Sequence, residues 1–168
     1  YYPIVDPRGL VTPLYDGWSL DFWFVTPEGT VLAPSKLPAM LQDLTVGPNL
    51  RVQSKADWGQ AAIVSAVEMD LDEGRPSCCI RLSVPTATPG WVVVALRPYN
   101  PEGVSFIDQI APAADRRSLL VNGRNPVRFD REPDRLALSV YKEGDVSQRL
   151  TEQAATAAVT CPVGMATA

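Results

Sequence analysis

The stretch Trp18-Ser-Leu-Asp-Phe-Trp-Phe-Val25 alternates in character. Trp18, Leu20, Phe22 and Phe24 point one way, and Ser19, Asp21 and Trp23 point the other. A period of two is the signature of a β-strand, and Thr26-Pro-Glu-Gly29 directly after it is a turn signal. Outward from this strand the same grammar repeats. Sixteen Pro and eleven Gly punctuate short apolar segments along the 168 residues, and no repeat or low-complexity tract interrupts them.

Extended pieces are predicted over residues 51–56 and 60–71, the second placing Ile63, Val67 and Met69 on one face, with a bend or bulge at 57–59 between them. Asp72-Glu-Gly-Arg-Pro76 reads as a hairpin turn into a half-exposed strand, where Cys78, Ile80, Leu82 and Val84 alternate with Ser77, Cys79, Arg81 and Ser83. Trp91-Val-Val-Val-Ala-Leu96 is apolar on both faces, the pattern of a central strand covered on each side. Further strands are expected at 106–110, 118–121, 127–129 and 135–141, with Asn122-Gly123 as a tight turn between the second and third. Two stretches compete for helix. Residues 34–44 suit one or two turns, and the Ala content of 146–160 permits a helix that its interleaved Thr and Val oppose. Many short strands joined by turns give an all-β fold, an antiparallel two-sheet β-sandwich with at most one or two short helices, occupying 1–168 as a single domain.

Composition narrows the function. The formal charge of −4, with Lys and Arg scattered, provides no basic face for nucleic acid or an anionic membrane. No apolar run approaches the roughly 20 residues that span a bilayer. The three cysteines form no CxxC or Cys/His cluster. Cys78 and Cys79, adjacent in a strand, point to opposite faces, so all three read as buried free thiols of a reducing compartment, which favours a cytoplasmic location. The absence of His removes Ser/His/Asp and Cys/His arrangements and most zinc sites. Neither a GxGxxG nor a P-loop nor an EF-hand loop is found, so no cofactor or metal is expected.

Two stretches are candidates for binding. Asp16-Gly-Trp-Ser-Leu-Asp-Phe-Trp23 sets carboxylates beside indoles, as sugar sites do through ring stacking and directed hydrogen bonds; it reads equally as a strand with core aromatics and a solvated Asp21. Arg97-Pro-Tyr-Asn-Pro-Glu-Gly103 presents Tyr99, Asn100 and Glu102 on a proline-stiffened strand end, with Arg97 available to pair with Glu102; it reads equally as a structural turn. The candidate carbohydrate-binding set is therefore Trp18, Asp21, Trp23, Tyr99, Asn100 and Glu102.

Trp91-Val-Val-Val-Ala-Leu-Arg-Pro-Tyr-Asn-Pro-Glu-Gly-Val104, together with Asp16 to Trp23, resembles the N-terminal β-sandwich (supersandwich-like) domain that precedes the (α/α)6-barrel in bacterial glucoamylase-like and glycogen-debranching-like glycoside hydrolases. The ending Gly164-Met-Ala-Thr-Ala168 is similar to a segment ahead of that barrel, so the chain reads as a fragment of a longer multidomain protein. The resemblance implies a noncatalytic accessory domain that braces the barrel and helps wall the substrate cleft. The general acid and base lie in barrel loops in that family, so no catalytic residue is carried over. The implied partners are a downstream (α/α)6 catalytic domain of the same parent chain and an oligosaccharide. A sandwich shorter than the family's also leaves an exposed edge or apolar face, which invites a homodimer. An autonomous carbohydrate-binding module using exposed aromatics is the alternative. A small independent carboxylate enzyme, such as a sugar epimerase, is a third possibility that the missing His disfavours.

Overall fold

The structure is a computed structural model that describes residues 2–15, 17–38, 40–151, 155 and 157–168, with the backbone alone for 125 and 126. The chain is all-β, with antiparallel sheets and, among the described residues, no helix beyond three short 3-10 turns. None is long and apolar enough to cross a membrane. Contacts divide the chain into two compact units, Tyr1–Ala95 and Leu96–Ala168.

The first unit holds β1 (Ile4–Val5), β2 (Val11–Thr12), β3 (Ser19–Val25), β4 (Val31–Leu32), β5 (Leu41–Val46), β6 (Leu50–Asp57), β7 (Ala62–Asp72), β8 (Arg75–Ser83) and most of β9 (Trp91–Arg97). One sheet runs β1-β2-β3-β4, with β9 also paired to β3. A second runs β5-β6-β7-β8, and the two meet where β3 packs against β7. Every residue of β3 is buried, on both faces. Its aromatic face meets the core, while its polar members are satisfied locally: the Ser19 and Thr12 hydroxyls share a 2.8 Å hydrogen bond. A strand buried on both faces can tolerate polar side chains only if they are so paired.

The second sheet is a meander whose turns follow the sequence. Glu73 and Gly74 both have positive φ (51° and 79°), the two-residue turn geometry that the right-handed strand twist favours. Gly59, at φ 83°, makes the expected bend after β6. The sheet's two faces differ. On one, Arg51 donates to Glu68 from Nε (3.0 Å) and Nη2 (2.9 Å), and Arg81 pairs with the same carboxylate from the other side. These guanidiniums, Arg81 first, hold the Glu68 carboxyl below its ordinary pKa. On the other face, Ser54, Ala56, Ile63, Ser65 and Val67 of β6 and β7 are buried, but Leu44 and Val46 of β5 are 64% and 76% exposed and Leu71 at the end of β7 is 68% exposed.

Gly90 marks a close approach. A Cβ there would lie 2.3 Å from Cζ of Phe24 and 2.6 Å from the carbonyl oxygen of Val25, so only glycine lets this backbone reach β3.

The second unit contains β10 (Tyr99–Asn100) and β11 (Gly103–Val104), a small hairpin, and a sheet ordered β14 (Arg124–Arg128), β13 (Ser118–Val121), β12 (Gln109–Pro112), β15 (Val159–Thr160). Asn122-Gly123 forms the expected turn, with φ of 51° and 67°. The Asn122 side chain ties that turn back to β12, its oxygen accepting from the N–H groups of Asp108 (2.8 Å) and Gln109 (3.0 Å). The chain end is drawn in by a hydrogen bond from Leu96 N to the Ala168 carbonyl at 2.8 Å.

Several expectations are corrected. The covered centre is β3, not Trp91–Leu96: β9 starts exposed, with Trp91 at 52% and Val92 at 49%, and is buried only at Ala95 and Leu96. Of the one or two turns expected from residue 34 onward, one is present among the described residues, a 3-10 turn at Pro34–Lys36, and from Leu41 the span belongs to β5. The helix considered over 146–160 is a 3-10 turn at Val146–Gln148 and strand β15 at Val159–Thr160, with 152–154 and 156 outside the described residues. The strand expected over 135–141 is reduced to a single bridge, Ser139 to Thr167. Of the thiols, Cys161 is buried, but Cys78 and Cys79 are half-buried.

Candidate functional site

The six candidate residues fall into two groups, one in each unit. Trp18 precedes β3, and Asp21 and Trp23 lie within it, two residues apart and so on one face. That spacing lets the Trp23 indole Nε1–H donate to Asp21 Oδ2 at 2.6 Å, while Oδ1 accepts from the Phe22 N–H at 2.9 Å. All three are buried: Trp18 is 8% exposed, Asp21 5% and Trp23 4%. Asp21 is therefore not the solvated carboxylate that was one reading of the strand. A buried carboxylate needs strong donors, and the indole is one. Neither indole offers an open ring face for a sugar to stack on. Asp16 lies outside the described residues.

Tyr99, Asn100 and Glu102 share the β10–β11 hairpin. The Asn100 side-chain oxygen accepts from the Glu102 N–H at 2.8 Å, an Asx turn that closes the tip. Glu102 is exposed at that tip, and Tyr99 and Asn100 are half-buried. Arg97 does not reach Glu102. It forks onto Asp145, with Nη1 to Oδ1 at 3.1 Å and Nη2 to Oδ2 closer still, and Nε donates to the Tyr99 hydroxyl at 3.2 Å. Its guanidinium carbon also lies 5.3 Å from the Tyr99 ring centroid. Partial burial pushes the Asp145 carboxyl up, but Arg97 and the N–H and hydroxyl of Ser147 outweigh it and bring it down to about 2. Asp145 thereby also caps the turn at Val146–Gln148, through Ser147 N–H at 2.9 Å. Asp145 is the residue that sequence reading missed. No local pattern marks a partner 48 residues away in sequence.

Asp115 and Arg117, in a further polar cluster, are similarly engaged. A shallow depression in the second unit is lined by Asp115, Arg117, Arg128, Phe129 and Asp130. Asp115 is held below its ordinary pKa by the Arg117 N–H and the Ser118 hydroxyl, accepting at 2.9 and 2.7 Å. Arg117 in turn binds the Asp130 carbonyl. Among the described residues no cluster of His, Cys, Asp or Glu could hold a metal ion. Burial, and then Cys79 beside it, pushes the Cys78 thiol up to about 11. At neutral pH that sulfur stays protonated and is a poor nucleophile.

No protein-family model, no curated protein and no solved structure matches this chain.

Proposed function

We propose that the chain is a noncatalytic accessory domain of a glycoside hydrolase, standing N-terminal to an (α/α)6 catalytic barrel, which it braces while helping to wall the substrate cleft. One observation supports this reading above others: in both stretches that carry the resemblance, the polar groups are bound to the chain itself. Asp21 is held by Trp23, Arg97 by Asp145 and Tyr99, and Asn100 by the Glu102 amide. Such groups stiffen a scaffold, whereas general acids and bases need a carboxyl facing the substrate. Burial of Trp18 and Trp23 favours the scaffold over an autonomous carbohydrate-binding module, which needs exposed ring faces.

The test is the encoding gene. Read past the codon for Ala168, it is expected to continue into several hundred residues of helical periodicity. A stop codon there would overturn the reading. A tryptophan-fluorescence titration with malto-oligosaccharides separates the alternative: a flat response is expected, and a saturable change abolished by Trp23→Ala would bring the binding module forward.

A further inference from the structure

The two edges of the β5–β8 sheet are unlike. Edge β8 carries Arg75, Pro76 and Arg81, the charges and missing N–H that natural sheets use against unwanted pairing. Edge β5, Leu41-Gln-Asp-Leu-Thr-Val46, has no Lys, Arg or Pro, and all six residues are exposed. It pairs with β6 along its full length, and among the described residues no strand lies on its other side. Nor is it frayed. The Gln42 side chain donates to the Asp6 carbonyl (2.6 Å) and to the Ser54 hydroxyl (3.0 Å), fastening the strand in place.

The geometry points to β5 as a dimerisation edge, where Leu41–Val46 of one copy pairs antiparallel with Leu41–Val46 of a second, Leu44 opposite Leu44. An axis on Asp43 or Leu44 pairs five of the six residues of β5, more than any other centre, and charge decides between those two. Residues directly opposite in an antiparallel pair share a face, so a two-fold axis perpendicular to the sheet must centre on a residue of β5. Centred on Asp43 it would set two carboxylates face to face, a repulsive pair. Centred on Leu44 it matches Leu44 with Leu44, Val46 with Gln42 and Asp43 with Thr45. Thr45 is itself paired with Arg51 of β6, so each Asp43 comes within two strand spacings, about 10 Å, of the other copy's Arg51. The same register joins the two exposed apolar areas at Leu44 and Val46, and it satisfies backbone groups that β5 otherwise gives to water.

This inference stands apart from the accessory-domain reading. Sedimentation of the 168-residue chain between micromolar and millimolar concentration is expected to show a reversible monomer–dimer equilibrium. Leu44→Lys, which places two ammonium groups together on the axis, should weaken it by about tenfold or more. Leu71→Lys, on the same apolar face but away from the edge, should change it by less than about twofold. Far-UV circular dichroism checks that both variants fold. Mild oxidation of Leu44→Cys should yield a disulfide joining position 44 of both copies in a peptide map. A chain monomeric throughout, equal weakening by both Lys variants, or no 44-to-44 link would overturn the proposal.

Discussion

Strands β3 and β5 belong to the same unit and both have sequences of mixed character, yet every residue of β3 is buried and every residue of β5 is exposed. The difference lies in what their polar residues find. In β3, Ser19 meets Thr12 and Asp21 meets Trp23, so the strand can be covered on both faces without stranding a polar group. In β5, the Asp43 and Thr45 side chains remain in water, and Leu41, Leu44 and Val46 remain there with them. Alternation fixes which residues share a face. Coverage of that face depends on the neighbouring elements.

The comparison can be broken most forcefully at the place where β3 is approached most closely. Gly90→Ala drives a methyl into the Phe24 ring and the Val25 carbonyl, and is expected to cost more than about 3 kcal/mol in urea unfolding. A cost below about 1 kcal/mol would mean that β3 is covered less tightly there. Next comes the buried polar pair. Trp23→Phe keeps an aromatic ring but removes the pyrrole portion and with it the N–H that Asp21 Oδ2 accepts, and should cost about 2 kcal/mol, because a buried carboxyl group loses its donor. Adding Asp21→Asn to it should recover part of that loss, since a neutral amide is less costly to bury. The smallest effect is expected in β5. Leu44→Ala, measured at concentrations where the chain is monomeric, should change stability by under about 0.5 kcal/mol. A core-sized cost at Leu44 would show that something covers this face.

Much of the fold was legible because turns carry local chemistry. Gly74 and Asn122-Gly123 declare positive φ in their residue types, and the strands they join follow directly. Residues 118–121 form a strand over the span expected for them. What was not legible depended on distant parts of the chain. Trp91 and Val92 look like core residues by composition but lie at a half-exposed strand start. Residues 135–141 have strand-like character, but only Ser139 finds a bridging partner, Thr167. The candidate site divides in the same way. The Asp21–Trp23 spacing of two was visible in the sequence, and so were the stiffened hairpin residues Tyr99 to Glu102. That Arg97 would choose Asp145 over the nearby Glu102 was not, because the choice is made by folding rather than by sequence neighbours.

The carboxylate of Glu68, gripped from β6 by Arg51 and from β8 by Arg81, acts as an address label for three strands at once. A hairpin with long arms can slide, and a slip of one residue turns every side chain of the moving strand over. Such a slip in β7 would carry Glu68 from its two guanidiniums to the apolar side and leave both arginines facing Val67 or Met69, according to its direction. Misaligned copies of this sheet are thus penalised by charge as well as by hydrophobicity. That safeguard matters most for a sheet whose apolar side is only half covered, since burial by itself would discriminate weakly between the right alignment and its neighbours.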